Sequence, residues 1–317
     1  MNDDEKLIPN EEEETVIDLT KLPQVRNLSP SKLADQFWCE MQLHLRLHLG
    51  MDPTEEMIVG SQIHRLLEEE LGPIIEVTVT TLNDSIIAYI LQIYSKLQTL
   101  LKLGVTRELP VIGKIQDIPC LGIIDQLSFE ISPDNQKQMV ITDYKTRRSK
   151  RAPSYEQKRR NRIQLQVYWH LLNDLKDGKF TVDMFKEYFE MSDELIPSDE
   201  LLAQLPEEHK KIITDKEPTE LLFETFKIFQ NLPELSEELN ATYLYQEDQQ
   251  PVFSDRTFFH VESFEVDMDW AVDYWRGKRT PGECPQQWMC KFCQFTEDCS
   301  YFLKRNMNNK DNKKREI

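Results

Sequence analysis

Residues 118–146 read IPCLGIIDQLSFEISPDNQKQMVITDYKT. Two β-branched, largely apolar runs, 118–131 and 138–144, flank Ser132-Pro133-Asp134-Asn135, a composition that turns the chain. A third run of the same kind, 108–115, precedes them, so the stretch is read as three successive strands. Alternation along a strand puts Asp143 and Lys145 on one face, about 6 to 7 Å apart. Asp125, within Gly122-Ile123-Ile124-Asp125, sits on the preceding run among Ile123, Ile124 and Leu127. An Asp-x-Lys pair alone is common on exposed strands, and a lone strand aspartate is commonly an edge or cap residue. Two carboxylates at neighbouring strand ends, however, make the oxygen-rich site that Mg²⁺ prefers, with Mn²⁺ as an alternative. Such an ion activates water and neutralises charge on a phosphate.

Helical recurrence of apolar residues marks 32–49, 57–71, 85–103 and 155–175. The first of these follows the N-cap candidate Ser29-Pro30-Ser31. His64 lies on the second, in Gly60-Ser61-Gln62-Ile63-His64. A helical histidine is more often structural than a ligand, yet Glu68 at i+4 can orient its ring. On the fourth helix Gln164 and Tyr168 share a face with Arg160, and core packing is the plain alternative for Tyr168. Residues 183–250 are acidic and Pro-punctuated, and read as a helical insertion. Residues 256–266 look like a further strand, followed by a helix through Trp275. The expected organisation is an acidic flexible arm (1–27), one domain (28–303) with its core motifs in 57–170, and a basic flexible tail (304–317). No repeat of 20 to 50 residues is present.

The 317-residue chain is 39% hydrophobic and carries a formal charge of −18. That sign opposes a nucleic-acid partner until its distribution is considered. Between positions 145 and 162 stand Lys145, Arg147, Arg148, Lys150, Arg151, Lys158, Arg159, Arg160 and Arg162 against the single acid Glu156. A solvated face is the bland account of such a block. As a single-strand DNA path it would use Arg147, Arg148, Lys150, Arg151, Arg159 and Arg160, with Tyr144, Tyr155, Tyr168 and Trp169 as stacking platforms. No apolar run reaches the roughly 18 residues of a membrane span, and the N-terminal stretch is acidic rather than basic. The expectation is a soluble intracellular monomer with no membrane partner, in the nucleus or the cytosol; a leader removed from this sequence would alter that. Lys313-Lys314-Arg315 reads equally as an import signal or a solvated end.

Six cysteines are present, Cys39, Cys120, Cys284, Cys290, Cys293 and Cys299. Cys290-x2-Cys293-x5-Cys299 is ligand spacing rather than disulfide spacing in an intracellular chain. From spacing alone zinc is the more frequent occupant, and either Cys284 or the distant Cys39 can supply the fourth thiolate.

Taken in order, Gly60-x3-His64, Gly122-x2-Asp125, Asp143-Tyr144-Lys145 and Gln164-x3-Tyr168 resemble the RecB-like branch of the PD-(D/E)XK nucleases. With the split cysteines, the chain from about 28 to 301 resembles the exonuclease V family. The resemblance implies an α/β fold with a restriction-endonuclease-like core: a mixed central sheet flanked by helices, a helical insertion and a C-terminal iron-sulfur region (284–301 plus Cys39). It implies that His64, Asp125 and Asp143 bind Mg²⁺, that Lys145 assists the attacking water or stabilises phosphate charge, and that Gln164 and Tyr168 line the DNA side. It further implies that Cys39, Cys290, Cys293 and Cys299 ligate a 4Fe-4S cluster, leaving Cys284 and Cys120 as spares. The implied activity is Mg²⁺-dependent exonucleolytic hydrolysis of single-stranded DNA in genome maintenance, with a single-strand DNA-binding protein as a partner. A structure-specific endonuclease, or a non-catalytic iron-sulfur or zinc DNA-binding module, would use the same residues.

Overall fold

The structure is a computed structural model describing residues 21–315 except 24 and 193, with side chains as far as 307. Helix α1 (Pro30–Leu49) opens where Ser29, in extended conformation, accepts the Lys32 N–H at 3.1 Å and Pro30 takes the first turn. It kinks at Cys39, whose φ of −160° and ψ of 104° are not helical. Thr54 caps α2 (Glu55–Glu69), which buries only Ile63. Thr81 caps α3 (Leu82–Leu103), and Gly104 ends it in the left-handed conformation. The α3 stripe of Ile86, Ile90, Ile93, Leu97 and Leu100 is fully or almost fully buried, as its 3-4 spacing dictates.

Three antiparallel strands follow, β1 (Val105–Ile115), β2 (Ile118–Ile131) and β3 (Lys137–Arg147). Helix α4 (Tyr155–Lys176) begins with a reciprocal Ser154 and Gln157 capping box. After it come α5 (Val182–Tyr188), α6 (Asp199–Gln204), α7 (Glu207–Asp215) and α8 (Pro218–Gln230). These carry the chain to β4 (Glu234–Tyr245), which pairs with β3 in parallel, and then to antiparallel β5 (Pro251–Phe258). The sheet order is β1-β2-β3-β4-β5. A parallel neighbour needs a long crossover, and the helices α4 to α8 are that crossover. Helix α9 (Val261–Trp275), a 3₁₀ turn (Gln287–Phe292) and α10 (Ser300–Arg315) complete a mixed α/β architecture whose sheet is flanked by helices.

The expected helical insertion across 183–250 is corrected. Its helical part ends with α8, and residues 234–245 form an interior strand of the sheet. The sequence ELSEELNATYLY hides this because Glu234, Glu237 and Glu238 dominate its start, although Leu235, Leu239, Ala241 and Tyr243 keep period 2 and are buried. The expected strand 256–266 is also divided: β5 begins earlier, at Pro251, and Val261 already starts α9. Residues 304–315, read as a tail, continue α10. Most of the expected acidic arm (1–20), residues 316–317, and the Lys313-Lys314-Arg315 side chains lie outside what is described. Among the described residues no helix is long and apolar enough to cross a membrane.

Candidate active site

The antiparallel register pairs Gln126 with Thr142, so Asp125 and Asp143 are adjacent on one face. Asp125 Oδ2 accepts the Tyr144 backbone N–H at 2.7 Å, which fixes the carboxylate across the strand gap. On β1 the pairs Arg107–Gln126 and Leu109–Ile124 leave Glu108 opposite Asp125. Glu108 adopts φ +51°, an uncommon conformation for a residue with a Cβ.

Helix α2 delivers His64 to this corner. Its Nδ1 lies 3.3 Å from Glu108 Oε1 and 3.8 Å from Asp125 Oδ2, and its Nε2 lies 3.1 Å from the Tyr144 carbonyl oxygen. The helix comes this close because position 60 is glycine: a Cβ there would stand 3.0 Å from Thr146 Oγ1. The expected orienting partner, Glu68, is instead ion-paired with Lys96. Glu108 occupies that role, and reading the sequence alone missed it because it looks like any charged residue at the head of a strand.

Beside the triad, Lys145 Nζ donates to Asp143 Oδ1 and to Gln164 Oε1, each at 3.0 Å, and Gln164 Nε2 donates to the Tyr168 hydroxyl at 3.1 Å. Tyr168 is buried, with burial and then Asp125 and Asp143 holding its phenol well above the usual range. Gly122 admits it: a Cβ there would meet Tyr168 Cε1 at 2.8 Å and Pro30 Cγ at 2.7 Å.

One ligand atom from each of His64, Glu108 and Asp125 lies within 4.8 Å of the others. Burial, reinforced by Asp143, pushes Asp125 up to about 7. Burial would lower His64, but Glu108 and Asp125 outweigh it and the imidazole is raised. Asp143 Oδ2 is buried without an aligned hydrogen-bond donor, although Lys145 Nζ stands 2.9 Å away. Three carboxylates, an imidazole and a nearby backbone carbonyl are a donor set that fits Mg²⁺ or Mn²⁺.

Much of the basic block is already paired. Arg148 pairs with Glu55 and Glu56, Lys150 with Asp248, Lys158 with Asp255, Arg159 with Asp267 and Arg160 with Asp35. Arg147 donates to Gln157 at 3.4 Å and lies over the Tyr243 ring. Arg151 is exposed, and among the described residues its side chain has no such partner. Among the expected stacking platforms only Tyr155 stands free, 73% exposed. Trp169 is stacked on Phe259 at 3.8 Å and donates to the Ser236 carbonyl, and Tyr144 lies under Arg107.

Five cysteines, Cys39, Cys284, Cys290, Cys293 and Cys299, line one cavity at the C-terminal end. The kink in α1 turns Cys39 toward it. A brace holds the two distant segments together: Arg279 Nη2 donates to Glu40 Oε1 at 2.7 Å, the Gly282 N–H to Glu40 Oε2 at 2.7 Å, and the Met41 N–H to the Gly282 carbonyl at 3.0 Å. Cys284, expected as a spare, sits 3.2 Å from Cys290, sulfur to sulfur. Cys120 is fully buried elsewhere, beside the Leu28 bridge. Burial pushes Cys39 up to about 12 and, with Cys284, pushes Cys290 up to about 11. Among the described residues no three thiols lie within 4.8 Å of one another.

The chain matches the sequence model of the family described as "Exonuclease V - a 5' deoxyribonuclease" over residues 18–139, 131–225 and 216–302. Exonuclease V of Danio rerio is 26% identical over 287 residues, covering 87% of this chain and 70% of that protein. A crystal structure of SSO0001 aligns over 89% of this chain and 90% of its own, at 13% identity and a TM-score of 0.37; a likeness that low carries no argument.

Proposed function

The chain belongs to the exonuclease V family and is a deoxyribonuclease, and we propose that it hydrolyses single-stranded DNA from a 5′ end, with a divalent metal, in DNA repair. The observation that carries this reading is the convergence of His64, Glu108 and Asp125 within 4.8 Å beside the Asp143 and Lys145 pair. Under this reading the core is of the PD-(D/E)XK kind. His64, Glu108, Asp125 and Asp143 would hold Mg²⁺ or Mn²⁺. When bound, such an ion supplies charge neutralisation at the scissile phosphate and an acidified water.

The side chains of the chain itself do the rest. Lys145, held between Asp143 and Gln164, presents a fixed positive charge where phosphate charge grows. Asp125, anchored to the Tyr144 N–H, keeps its carboxylate from turning away. The strand is drawn in by Arg147 and Arg151, and Tyr155 offers an exposed ring for a base. The cavity of five thiols supports a 4Fe-4S cluster on Cys39, Cys290, Cys293 and Cys299, where it ties residue 39 to residues 290–299. A monomer acting with a single-strand DNA-binding protein, in the nucleus, completes the proposal.

The test is cleavage of labelled linear and circular single strands with and without Mg²⁺. Linear strands should be degraded and circles spared, and Asp143→Ala should abolish cleavage while leaving strand binding in place. Cutting of circles would favour the endonuclease reading, and a fully active Asp143→Ala protein would overturn the site.

A further inference from the structure

Cys284 stands in the cysteine cavity without a part in the cluster proposed above, and its sulfur lies 3.2 Å from that of Cys290. Among the described residues no other two thiols are in hydrogen-bonding contact; Cys39 Sγ accepts the Gln42 N–H at 3.4 Å instead. The two sulfurs of the pair differ in what can reach them. Cys290, in the 3₁₀ turn, is half-buried and lines both the inner cavity and the open groove outside it, beside Gln287, Trp288 and Lys291. Cys284 is 8% exposed and lines the inner cavity alone. Arg305 of α10 holds it there, with Nη1 3.9 Å from Cys284 Sγ and the other arm of the guanidinium paired with Glu283. A small oxidant that enters by the groove therefore meets Cys290 first, with Cys284 already against it.

We propose that Cys284 is a resolving thiol: when Cys290 carries no metal, a peroxide converts the two to a reversible Cys284–Cys290 disulfide that preserves Cys290 for cluster assembly. In the first step the Cys290 sulfur takes one peroxide oxygen. The O–O bond breaks, water leaves, and the sulfur, oxidised by two electrons, becomes a sulfenic acid. In the second, the Cys284 sulfur attacks that of Cys290. The S–S bond forms as the S–O bond breaks, and the hydroxyl leaves as water with the Cys284 proton. A dithiol reductant reverses the result, taking the bond onto its own two sulfurs and returning both cysteines. Burial and Cys284 push the Cys290 thiol up to about 11, so the first step is slow. The outcome is decided by the second, which contact makes fast. Without Cys284, a further peroxide carries the sulfenic acid to sulfinic acid, which a dithiol does not reduce, and the ligand is lost. That Cys290 is a cluster ligand and Cys284 is not rests on the reading above; the contact between their sulfurs does not.

The test uses the full chain, stripped of iron by a chelator under anaerobic reducing conditions, desalted and treated with hydrogen peroxide. Free thiols are then blocked with iodoacetamide and the peptides mapped by mass spectrometry without reduction. The main product should be a Cys284–Cys290 cross-link that dithiothreitol opens. In Cys284→Ser the main product should be Cys290 sulfinic acid. After dithiothreitol, iron and sulfide, absorbance near 400 nm should return in the native chain and reach at most about a third of that level in Cys284→Ser. Peroxide treatment of the loaded chain until its colour is bleached should give the same cross-link, and it carries the test if the stripped chain does not stay folded. Cross-linking of Cys290 mainly to Cys39, Cys293 or Cys299, or equal recovery of colour in the two proteins, overturns the proposal. A native chain that takes up no cluster refutes the cluster reading and still yields or lacks the cross-link. A chain that takes up a cluster but never forms the cross-link refutes the resolving role alone.

Discussion

Lys145 Nζ lies 3.0 Å from Oδ1 and 2.9 Å from Oδ2 of Asp143, a residue with no solvent exposure. Removing one member of a buried pair strands the other charge. Lys145→Met should therefore abolish cleavage and lower metal-free stability by about 3 kcal/mol, the low end for buried pairs because the lysine is partly exposed. Mn²⁺ should restore more stability to the variant than it adds to the native chain. Urea unfolding with and without Mn²⁺ reads both effects; an undiminished midpoint in the variant would contradict the pairing.

Asp125 titrates near 7 because burial and Asp143 disfavour its ionised form. The metal needs the carboxylate ionised and the imidazole of His64 neutral, so protons compete with it. Metal affinity should fall steeply as pH drops below about 7, and flatten above it once His64 has also lost its proton. In the metal-free chain both groups bind more protons folded than unfolded, so their contribution to stability shrinks as pH rises. Calorimetric Mn²⁺ titrations from pH 5.5 to 8.5 check the first point, and proton release on binding should vanish in Asp125→Asn with His64→Gln.

Arg148 and Lys150 are neutralised by carboxylates within the fold, whereas Arg151 is not. Arg151→Ala should reduce the slope of log affinity against log salt for a single strand by roughly one contact's worth, about 0.7. Arg148→Ala should change it less. Fluorescence anisotropy over a salt series decides, and equal slopes for the two variants would remove Arg151 from the DNA path.

Cys39→Ser and Cys293→Ser should lose absorbance near 400 nm and unfold at lower temperature, because each removes a ligand that joins distant segments. Cys284→Ser should keep the colour despite its place in the same cavity, and Cys120→Ser should keep it as well. Bleaching in Cys284→Ser would promote that thiol to ligand in place of one of the four.

Gly122→Ala should destabilise by about 1 to 3 kcal/mol, since its Cβ would press on Tyr168 and on the Pro30 ring, neither of which can yield without moving a helix. Activity should fall with it, because Tyr168 supports Gln164 and Gln164 supports Lys145. A thermal melt and an activity assay on the same preparation provide the measurement.

The periodicities of 108–146 and of the helices at 32–49, 57–71, 85–103 and 155–175 were legible in the amino-acid sequence, because period 2 and period 3.6 are local properties of the chain. So was the family, through four short motifs whose order survives without any knowledge of distance. What the sequence could not reveal is who meets whom. Glu108 joins His64 only because its unusual φ and the β1 to β2 register bring it opposite Asp125. The strand at 234–245 is fixed by pairing in parallel with β3, across more than eighty residues of helical crossover. The basic block was visible as charge, but carboxylates from Asp35 to Asp267 neutralise much of it, and those contacts are tertiary. The short-period elements and the chemistry of single motifs are set within a few residues and can be read from the sequence, whereas the gathering of His64, Glu108 and Asp125 within 4.8 Å and the pairing of the cations depend on groups that only folding brings together.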